Sequence, residues 1–405
     1  MKENSYSISS FFLKINQIIW KHAFLQKARV IFYFLDRILL VGLKQVEPDK
    51  KNKKKKVLLI YNMALGDGIM FLGVAEHFRK IYMKSEYELT IACQRAFSDL
   101  YLESGIFDKV IPCDFAGSVL NMKNRRALFA VIRKQAYDII VDPVGCDNCT
   151  MNIFVTRAAI GKKKIGVVDK SLPHIQCPKW IRKKIYTDVI EIHKPQLHLI
   201  EFYAEFIREL GDKTCVAKPA AFGHIELGLD IPNKFFIIFP AASMQVKRWP
   251  LDRFAYIATK IQQKTGMPLV LCGTSHDWSV LEEFLKLIPN VQTVNLVGKT
   301  NIMRFIELIG RADLVVTNDT SAYHIAVAQK RKTALICGGY TYTRYANYHY
   351  SQQGYPDPVL ITNPMKCFDC NNYCQYNNRE IFPCIEEISK EKAWLEIEKM
   401  IELQK

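Results

Sequence analysis

The chain has 405 residues, of which 49% are hydrophobic and 24% charged, and its formal net charge is +16. These values are typical of folded soluble proteins of about two domains, and they exclude a chain without a sizeable core. The basic charge is concentrated at the start. Residues 1–56 hold 13 Lys/Arg and 4 Asp/Glu, a charge of +9, and the rest of the chain carries only +7.

The N-terminal arm, residues 1–50, mixes bulky apolar and basic residues between positions 7 and 44. Its longest apolar part, residues 30–43, is interrupted by Asp36-Arg37. It is too short and too charged to span a bilayer, which needs about 20 apolar residues. Apolar bulk with a basic face predicts an amphipathic helical arm lying on an anionic membrane surface through residues 7–44. The alternative is a helical arm packed on the protein body or on another subunit.

The lysine-rich stretch 50–56 is predicted to be a solvated linker. It has no interleaved aromatic residues and no Gly-rich RNA motif, so no nucleic-acid partner is expected. The twelve cysteines are spread along the chain, and several lie in apolar strand-like runs where cysteine behaves as a small hydrophobe. No secretory signal pattern is found at the start. These features predict a reducing, cytoplasmic setting.

From residue 57 onward, apolar strand-like runs alternate with helical patterns. The first series has predicted strands at 57–61, 89–93, 110–113, 139–141 and 165–168, with helices at about 69–82 and 197–210. A looser segment, 211–232, separates it from a second series with strands at 235–239, 269–272, 291–296, 314–316 and 333–337 and a closing helix at 389–403. This alternation predicts an α/β fold of two Rossmann-like, doubly wound parallel-sheet domains. The predicted domains are residues 51–225 and 226–388, followed by the closing helix within 389–405.

Ligands of such sheets bind beyond the carboxyl ends of the strands, and the cleft between two facing domains is the expected site. The turn Asn318-Asp319-Thr320-Ser321 connects a predicted strand to a helix. Free N–H groups at the start of that helix favour an anion such as a phosphate. The alternative is that Asp319 is only an N-cap.

Similar turns follow other predicted strands. Gly66-Asp67-Gly68 is predicted to be a loop in which the two glycines let the backbone bend close to a ligand and leave Asp67 exposed. In the second series, Ser243 and Lys247 follow one strand and Thr274 follows the next, positions from which a diphosphate is within reach. With Gly338-Gly339 after the strand 333–337, phosphate-friendly turns recur at four strand ends of one domain, and they predict a nucleotide site there.

Four motifs together resemble the family 9 glycosyltransferases, the group of the lipopolysaccharide heptosyltransferases. The resemblance covers about residues 55–390 and is carried by Leu65-Gly66-Asp67, Lys247-x-Trp249-Pro250-x3-Phe254, Asn318-Asp319-Thr320-x3-His324 and the cysteines of the tail. It implies the two-Rossmann GT-B fold and, as its co-substrate, a nucleotide sugar, commonly ADP-heptose. It also implies that Asp67 is the catalytic base and that the donor is held by Lys247, Asp319, Thr320, Ser321 and His324. The chain departs from the family at two positions. The family usually has Gly where this chain has Ser321, and it commonly has Pro where this chain has Gly73.

The resemblance and the residues together predict an inverting glycosyltransferase of lipopolysaccharide core assembly. It would move heptose from ADP-heptose to a lipid-linked acceptor at the cytoplasmic face of the inner membrane. The alternatives are transfer of another sugar to a different surface glycan and a non-catalytic nucleotide-sugar-binding protein.

No Asp-x-Asp pair occurs in the sequence, so transfer without a metal ion or other cofactor is expected. Four tail cysteines leave structural zinc open beside reduced or locally bridged thiols: Cys367, Cys370, Cys374 and Cys384.

Overall fold

A computed structural model of the chain describes residues 29–43, 54–147, 149–172, 177–371, 374–376 and 378–402. These residues group into two units. Unit 1 takes the described residues of Met1–Ala64, Ala75–Gln196 and Phe202–Val216, and unit 2 takes those of Leu65–Val74, Leu197–Glu201 and Ala217–Lys405. In the described ranges, no helix combines the length and apolar character needed to cross a membrane. The predictions for residues 7–28 lie outside the described residues.

Unit 1 is built on six parallel strands. They are β1 (Lys55–Tyr61), β2 (Tyr87–Gln94), β3 (Lys109–Cys113), β4 (Ala136–Asp142), β5 (Ile160–Asp169) and β6 (Asp188–Ile192), in the order β3-β2-β1-β4-β5-β6. The central strand β1 is a continuous apolar run that is fully buried from Val57 to Tyr61. Such a run is expected of a parallel strand covered by helices on both faces. Its register pairs Val57 with Leu89 of β2 and with Ile139 of β4.

The helices of the first half are α1 (Ile31–Leu40), α2 (Leu65–Ala75), α3 (His77–Ile81), α4 (Ser98–Glu103), α5 (Met122–Ile132), α6 (Met151–Ala158), α7 (Lys179–Ile185) and α8 (Leu199–Leu210). Helix α1 lies in the described part of the N-terminal arm, residues 29–43, and it packs on α5 and α6 through Phe32, Leu39 and Leu40. The structure therefore shows, for this part of the arm, the alternative of a helix packed on the protein body.

Unit 2 repeats the same design. Its parallel strands are β7 (Phe236–Phe239), β8 (Leu269–Leu271), β9 (Thr293–Asn295), β10 (Leu314–Asn318), β11 (Thr333–Ile336) and β12 (Val359–Ile361), in the order β12-β11-β10-β7-β8-β9. Its later helices are α9 (Leu251–Thr265), α10 (Trp278–Leu287), α11 (Ile302–Arg311), α12 (Ser321–Ala328), α13 (Pro383–Glu386) and α14 (Lys390–Glu402). Counted from each unit's own first strand, both sheets have the order 3-2-1-4-5-6 of dinucleotide-binding folds.

The predicted fold class of two doubly wound parallel sheets with a preceding helix is therefore confirmed. All ten predicted strands exist, with ends shifted by a few residues, and α14 matches the closing helix. Two strands were not predicted: β6 and β12, each at an edge of its sheet. Neither has a long continuous apolar run, because acidic residues interrupt the apolar residues of β6 and β12 has only three residues.

Candidate functional site

The candidate site lies at the switch point of the sheet of unit 2. The order of its strands reverses between β7 and β10, which are hydrogen-bonded neighbours with Phe236 opposite Leu314. The segment carrying Ser243 and Lys247 follows the end of β7, and the turn Asp319-Thr320 follows the end of β10. Ligands of doubly wound sheets bind outside the carboxyl ends of the strands at this point.

Lys247 and Asp319 form an ion pair at this position. Nζ of Lys247 donates a hydrogen bond of 2.8 Å to Oδ2 of Asp319, and the same ammonium lies 5.0 Å from the ring centre of Tyr340. Burial alone would raise the pKa of Asp319. The adjacent Lys247 charge and the hydrogen bonds from Lys247 and Thr341 nevertheless hold that pKa below its ordinary value. The pair therefore places one fixed cation and one fixed carboxylate at the end of the sheet.

Helix α12 begins next to this pair, and its N-cap is Thr320. The side chain of Thr320 makes no capping hydrogen bond; its hydroxyl is 3.2 Å from that of Thr317. Asp319 precedes the N-cap by one residue, and its carboxylate is bound to Lys247. The alternative that Asp319 is only an N-cap is therefore wrong. The N–H of Tyr323 in the first turn of α12 donates to the carbonyl of Thr320 at 3.1 Å, but the Thr320 side chain accepts from no N–H of this turn, and an anion is favoured there.

His324 lies on α12 and is buried. Its Nδ1 lies 2.8 Å from the hydroxyl of Tyr348, and burial lowers its pKa to about 4, so the ring is neutral at physiological pH. The other edge of the ring faces Gly66: a Cβ at that position would lie 2.7 Å from Cδ2 of His324. A residue with a Cβ at position 66 would therefore force the His324 ring or the backbone of α2 to shift.

This contact brings Asp67 into the same unit as Lys247 and Asp319. Asp67 is half-buried in the first turn of α2, where a carboxylate is favoured by the helix dipole. Its charge and that of Asp319 both raise the pKa of the partly buried Tyr345 and of the buried Tyr348, after the larger effect of burial. Two carboxylates thus act on the same pair of tyrosines.

The prediction that Gly66 and Gly68 form a loop is wrong, since both lie in the first turn of α2. Glycine weakens a helix by about 1 kcal/mol relative to alanine, and for that reason the sequence favoured a later helix start. Gly66 nevertheless lies in the helix because the nearby His324 ring leaves no room for a Cβ at this position.

Comparison with known proteins identifies the family. Residues 125–371 match the model described as "Glycosyltransferase family 9 (heptosyltransferase)". The chain belongs to glycosyltransferase family 9.

Within this family, the chain is 24% identical over 233 residues to lipopolysaccharide heptosyltransferase 3 of Escherichia coli K12, covering 55% of this chain and 65% of that protein. It is 36% identical over 95 residues to lipooligosaccharide heptosyltransferase 2 of Haemophilus influenzae, covering 23% and 27%. The chain therefore spans between about a quarter and two thirds of the length of these relatives.

Solved structures of the family show the same fold. The glycosyl transferase family 9 structure from Veillonella parvula has a TM-score of 0.69 at 16% identity, covering 89% of this chain and 100% of that one. The structure of E. coli ADP-heptose lipopolysaccharide heptosyltransferase II has a TM-score of 0.63 at 17% identity and covers 86% and 99%. That of E. coli heptosyltransferase WaaC with ADP-2-deoxy-2-fluoro heptose has a TM-score of 0.60 at 16% identity and covers 86% and 100%.

Asn318 is a residue of the candidate site whose role was not predicted. It is the last residue of β10 and is fully buried. Its Nδ2 donates to the carbonyl of Pro240 at 2.6 Å, and its Oδ1 accepts from the backbone N–H of Trp249 at 3.2 Å. It thereby fixes both ends of the segment that carries Ser243 and Lys247.

A buried aromatic group beside His324 was also missed. The ring centre of His198 lies 4.4 Å from that of Tyr348. Burial is the main cause that lowers the pKa of His198 to about 3. The sequence signal was available: six of the nineteen tyrosines lie between positions 340 and 355. The segment Tyr342–Ala346 forms a π-helix, a conformation that is frequent at functional sites.

Two predicted donor-binding residues make no hydrogen bond or ion pair with Lys247, Asp319 or His324 in the part of the chain that the structure describes. Ser243 is exposed in the segment after β7. Thr274 is exposed and forms a capping box, in which its hydroxyl and its N–H both bond Oδ2 of Asp277, at 2.7 and 2.9 Å. A local structural role thus accounts for Thr274.

The tail thiols are close enough to influence one another. Burial, and then the charges of Cys374, Cys367 and Cys384, raise the pKa of Cys370 to about 12. All four are free cysteines. Within the ranges that the structure describes, no three His, Cys, Asp or Glu side chains are placed to hold a metal ion, so the zinc alternative gains no support.

Proposed function

We propose that this chain is an inverting glycosyltransferase that moves a heptose from ADP-heptose to a lipid-linked acceptor in lipopolysaccharide core assembly. Membership of family 9 and the heptosyltransferase names of the relatives support the reaction class. The WaaC structure, which shares the fold, holds an ADP-heptose analogue and supports the donor. The observation that carries the proposal is the Lys247–Asp319 pair at the switch point, beside the uncapped start of α12 and in the unit that also contains Asp67.

In this proposal the diphosphate of the donor lies against the first turn of α12. Lys247 and Asp319 largely cancel each other's charge, so the backbone N–H groups of α12 must supply much of the attraction. An ammonium has three protons, and only one is committed to Asp319, so Lys247 retains donors for a phosphate oxygen. Asp319 holds Lys247 in place before the donor arrives, so little reorganisation is needed.

Asp67 acts as the general base. Its carboxylate takes the proton of the acceptor hydroxyl while that oxygen forms a bond to the anomeric carbon of the heptose. The bond from this carbon to the diphosphate oxygen breaks on the opposite face, which inverts the configuration. The leaving diphosphate gains negative charge, which Lys247 and the start of α12 stabilise.

The acceptor is proposed to carry a lipid, and the chain is proposed to work as a peripheral protein on the cytoplasmic face of the inner membrane. The basic charge of the first 56 residues supports this placement, since anionic lipids attract it.

The test measures transfer from ADP-heptose to lipopolysaccharide extracted from a heptose-deficient strain. Asp67→Asn should reduce turnover by about 10²–10⁴-fold, the usual effect of losing a general base, while ADP-heptose still raises the melting temperature. Asp99→Asn is the matched control, because Asp99 is an exposed carboxylate in the first turn of α4. Wild-type turnover by Asp67→Asn would reject the base. A wild-type chain that binds ADP-heptose without transferring it would support a binding protein instead.

A further inference from the structure

Helix α1 is apolar on two opposite faces. Its inner face packs on unit 1 through Phe32, Tyr33 and Leu40. Its outer face carries apolar side chains that are exposed, for example Phe34 at 51% and Ile38 at 70%. The exposed residues recur at the spacing of one helix face: Ile31, Phe34, Leu35, Ile38 and Val41.

The orientation of α1 is fixed by a buried ion pair. Arg125 of α5 donates from Nε and Nη2 to the two carboxylate oxygens of Asp36, each at 2.6 Å, and both side chains are buried. The guanidinium of Arg125 also lies 4.7 Å from the ring centres of Phe32 and Phe154. Because a bidentate pair allows one geometry, the outer face of α1 cannot turn inward without breaking it.

The exposed face continues onto α7 through Trp180. This side chain is 42% exposed, and its ring centre lies 5.2 Å from the ring centre of Tyr33 and 6.0 Å from that of Phe34. We name the outer residues of α1 together with Trp180 the α1 patch. Basic side chains border it: Lys184 places Nζ 5.6 Å from the Trp180 ring centre, and Arg37, Lys179 and Lys183 are exposed on the same two helices.

We propose that the α1 patch is a docking surface for an anionic lipid bilayer, with its apolar side chains in the boundary between headgroups and acyl chains. An apolar strip with tryptophan and a lysine border has the composition of interfacial membrane-binding surfaces. A second copy of this chain fits less well, because a twofold interface would bring two basic borders face to face. The proposal deepens the lipid-linked acceptor of the proposed function and names the surface that would bring the site to it.

The test is vesicle flotation of the full-length protein, with vesicles of phosphatidylcholine alone or mixed with phosphatidylglycerol. Phe34→Glu/Ile38→Glu should lower the partition coefficient on the mixed vesicles by about ten-fold or more, because two charged groups replace two inserted apolar ones. Leu395→Glu is the matched control, since Leu395 is 51% exposed on α14 of unit 2, and it should float like the wild type. Flotation of Phe34→Glu/Ile38→Glu equal to that of the control would overturn the proposal.

A second variant separates charge from apolar contact. Lys179→Glu/Lys183→Glu/Lys184→Glu should weaken the preference for phosphatidylglycerol, and added salt should weaken it for the wild type. Analytical ultracentrifugation tests the alternative of a second copy of the chain on the α1 patch. A wild-type dimer that Phe34→Glu/Ile38→Glu converts to a monomer would assign the patch to a protein contact and overturn the membrane proposal.

Thermal melting confirms that each variant is folded. Transfer to a detergent-dispersed acceptor should be unchanged in Phe34→Glu/Ile38→Glu, so failure of the membrane proposal is distinguishable from failure of the enzyme proposal.

Discussion

The hydroxyl of Tyr348 lies 2.8 Å from Nδ1 of His324, and it is the partner that orients this buried ring. The neutral ring then directs its Cδ2–Nε2 edge toward Gly66, the residue before Asp67. Tyr348 lies 24 residues after His324 in the sequence. Through this one hydrogen bond it orients the ring that lies against Gly66 at the start of α2.

Tyr348→Phe removes this hydrogen bond and keeps the ring. We expect the His324 ring to lose its fixed orientation, and kcat for heptose transfer to fall by about ten-fold, as for loss of a positioning contact. The matched control is Tyr350→Phe, because the Tyr350 hydroxyl bonds Glu201 at 3.4 Å in the same cluster. Steady-state kinetics with ADP-heptose measures both. Equal kcat values in the two variants would show that Tyr348 has no special role.

Gly66→Ala tests the close approach directly. On helix propensity alone, alanine would stabilise α2 by about 1 kcal/mol. A Cβ 2.7 Å from Cδ2 of His324, however, forces a shift, and overpacking of this kind costs about 1–3 kcal/mol. We therefore expect a lower free energy of unfolding together with a clear loss of transfer. Gly223→Ala is the control, because nothing lies within 4 Å of a Cβ there. A stabilised, fully active Gly66→Ala would refute the steric argument.

The fold was predictable because parallel strands covered on both faces leave long apolar runs in the sequence. β1 and β10 are such runs, and both were found. The polar turns at the ends of β7 and β10 were predictable for the same reason, since their positions follow from the strands. The pairing of Lys247 with Asp319 was not, because 72 residues separate them and only the sheet order brings them together.

Other features depended on tertiary contacts that no local pattern encodes. Gly66 looked like a loop residue because glycine disfavours helices, and only the nearby His324 explains its place in α2. Asp36 appeared as an interruption of an apolar run, whereas it is the buried partner of Arg125, 89 residues away. A residue that breaks a local rule was in both cases the one that joins two elements.

The Asp36–Arg125 pair yields a stability prediction. Arg125→Met should lower the free energy of unfolding by about 3–5 kcal/mol, because it leaves a buried carboxylate without its partner. Asp36→Leu/Arg125→Met should recover much of this loss, since an apolar pair of similar volume needs no compensation. Urea denaturation of the three proteins gives the comparison. A double variant no more stable than Arg125→Met would show that the pair is required for packing and not only for charge balance.

The Lys247–Asp319 pair predicts a dependence of stability on pH. The folded pKa of Asp319 lies below its ordinary value of about 3.8, so the carboxylate binds protons more weakly in the folded than in the unfolded chain. The stabilisation is therefore complete above that ordinary value and is lost as the pH falls through the folded pKa. Asp319→Asn, which resembles the protonated state, should be less stable than the wild type at neutral pH by about 3 kcal/mol.

Urea denaturation at a series of pH values tests this directly. As the pH falls below about 3.8, the difference in free energy of unfolding between wild type and Asp319→Asn should shrink, because the wild-type carboxylate becomes protonated as well. Asp252→Asn, at an exposed position in the first turn of α9, provides the control and should show only a small difference at neutral pH. If the gap between wild type and Asp319→Asn stays constant down to the acid transition, the charge of Asp319 is not what holds Lys247 at the switch point. The role of the carboxylate would then be limited to its hydrogen bonds, which an amide oxygen partly reproduces.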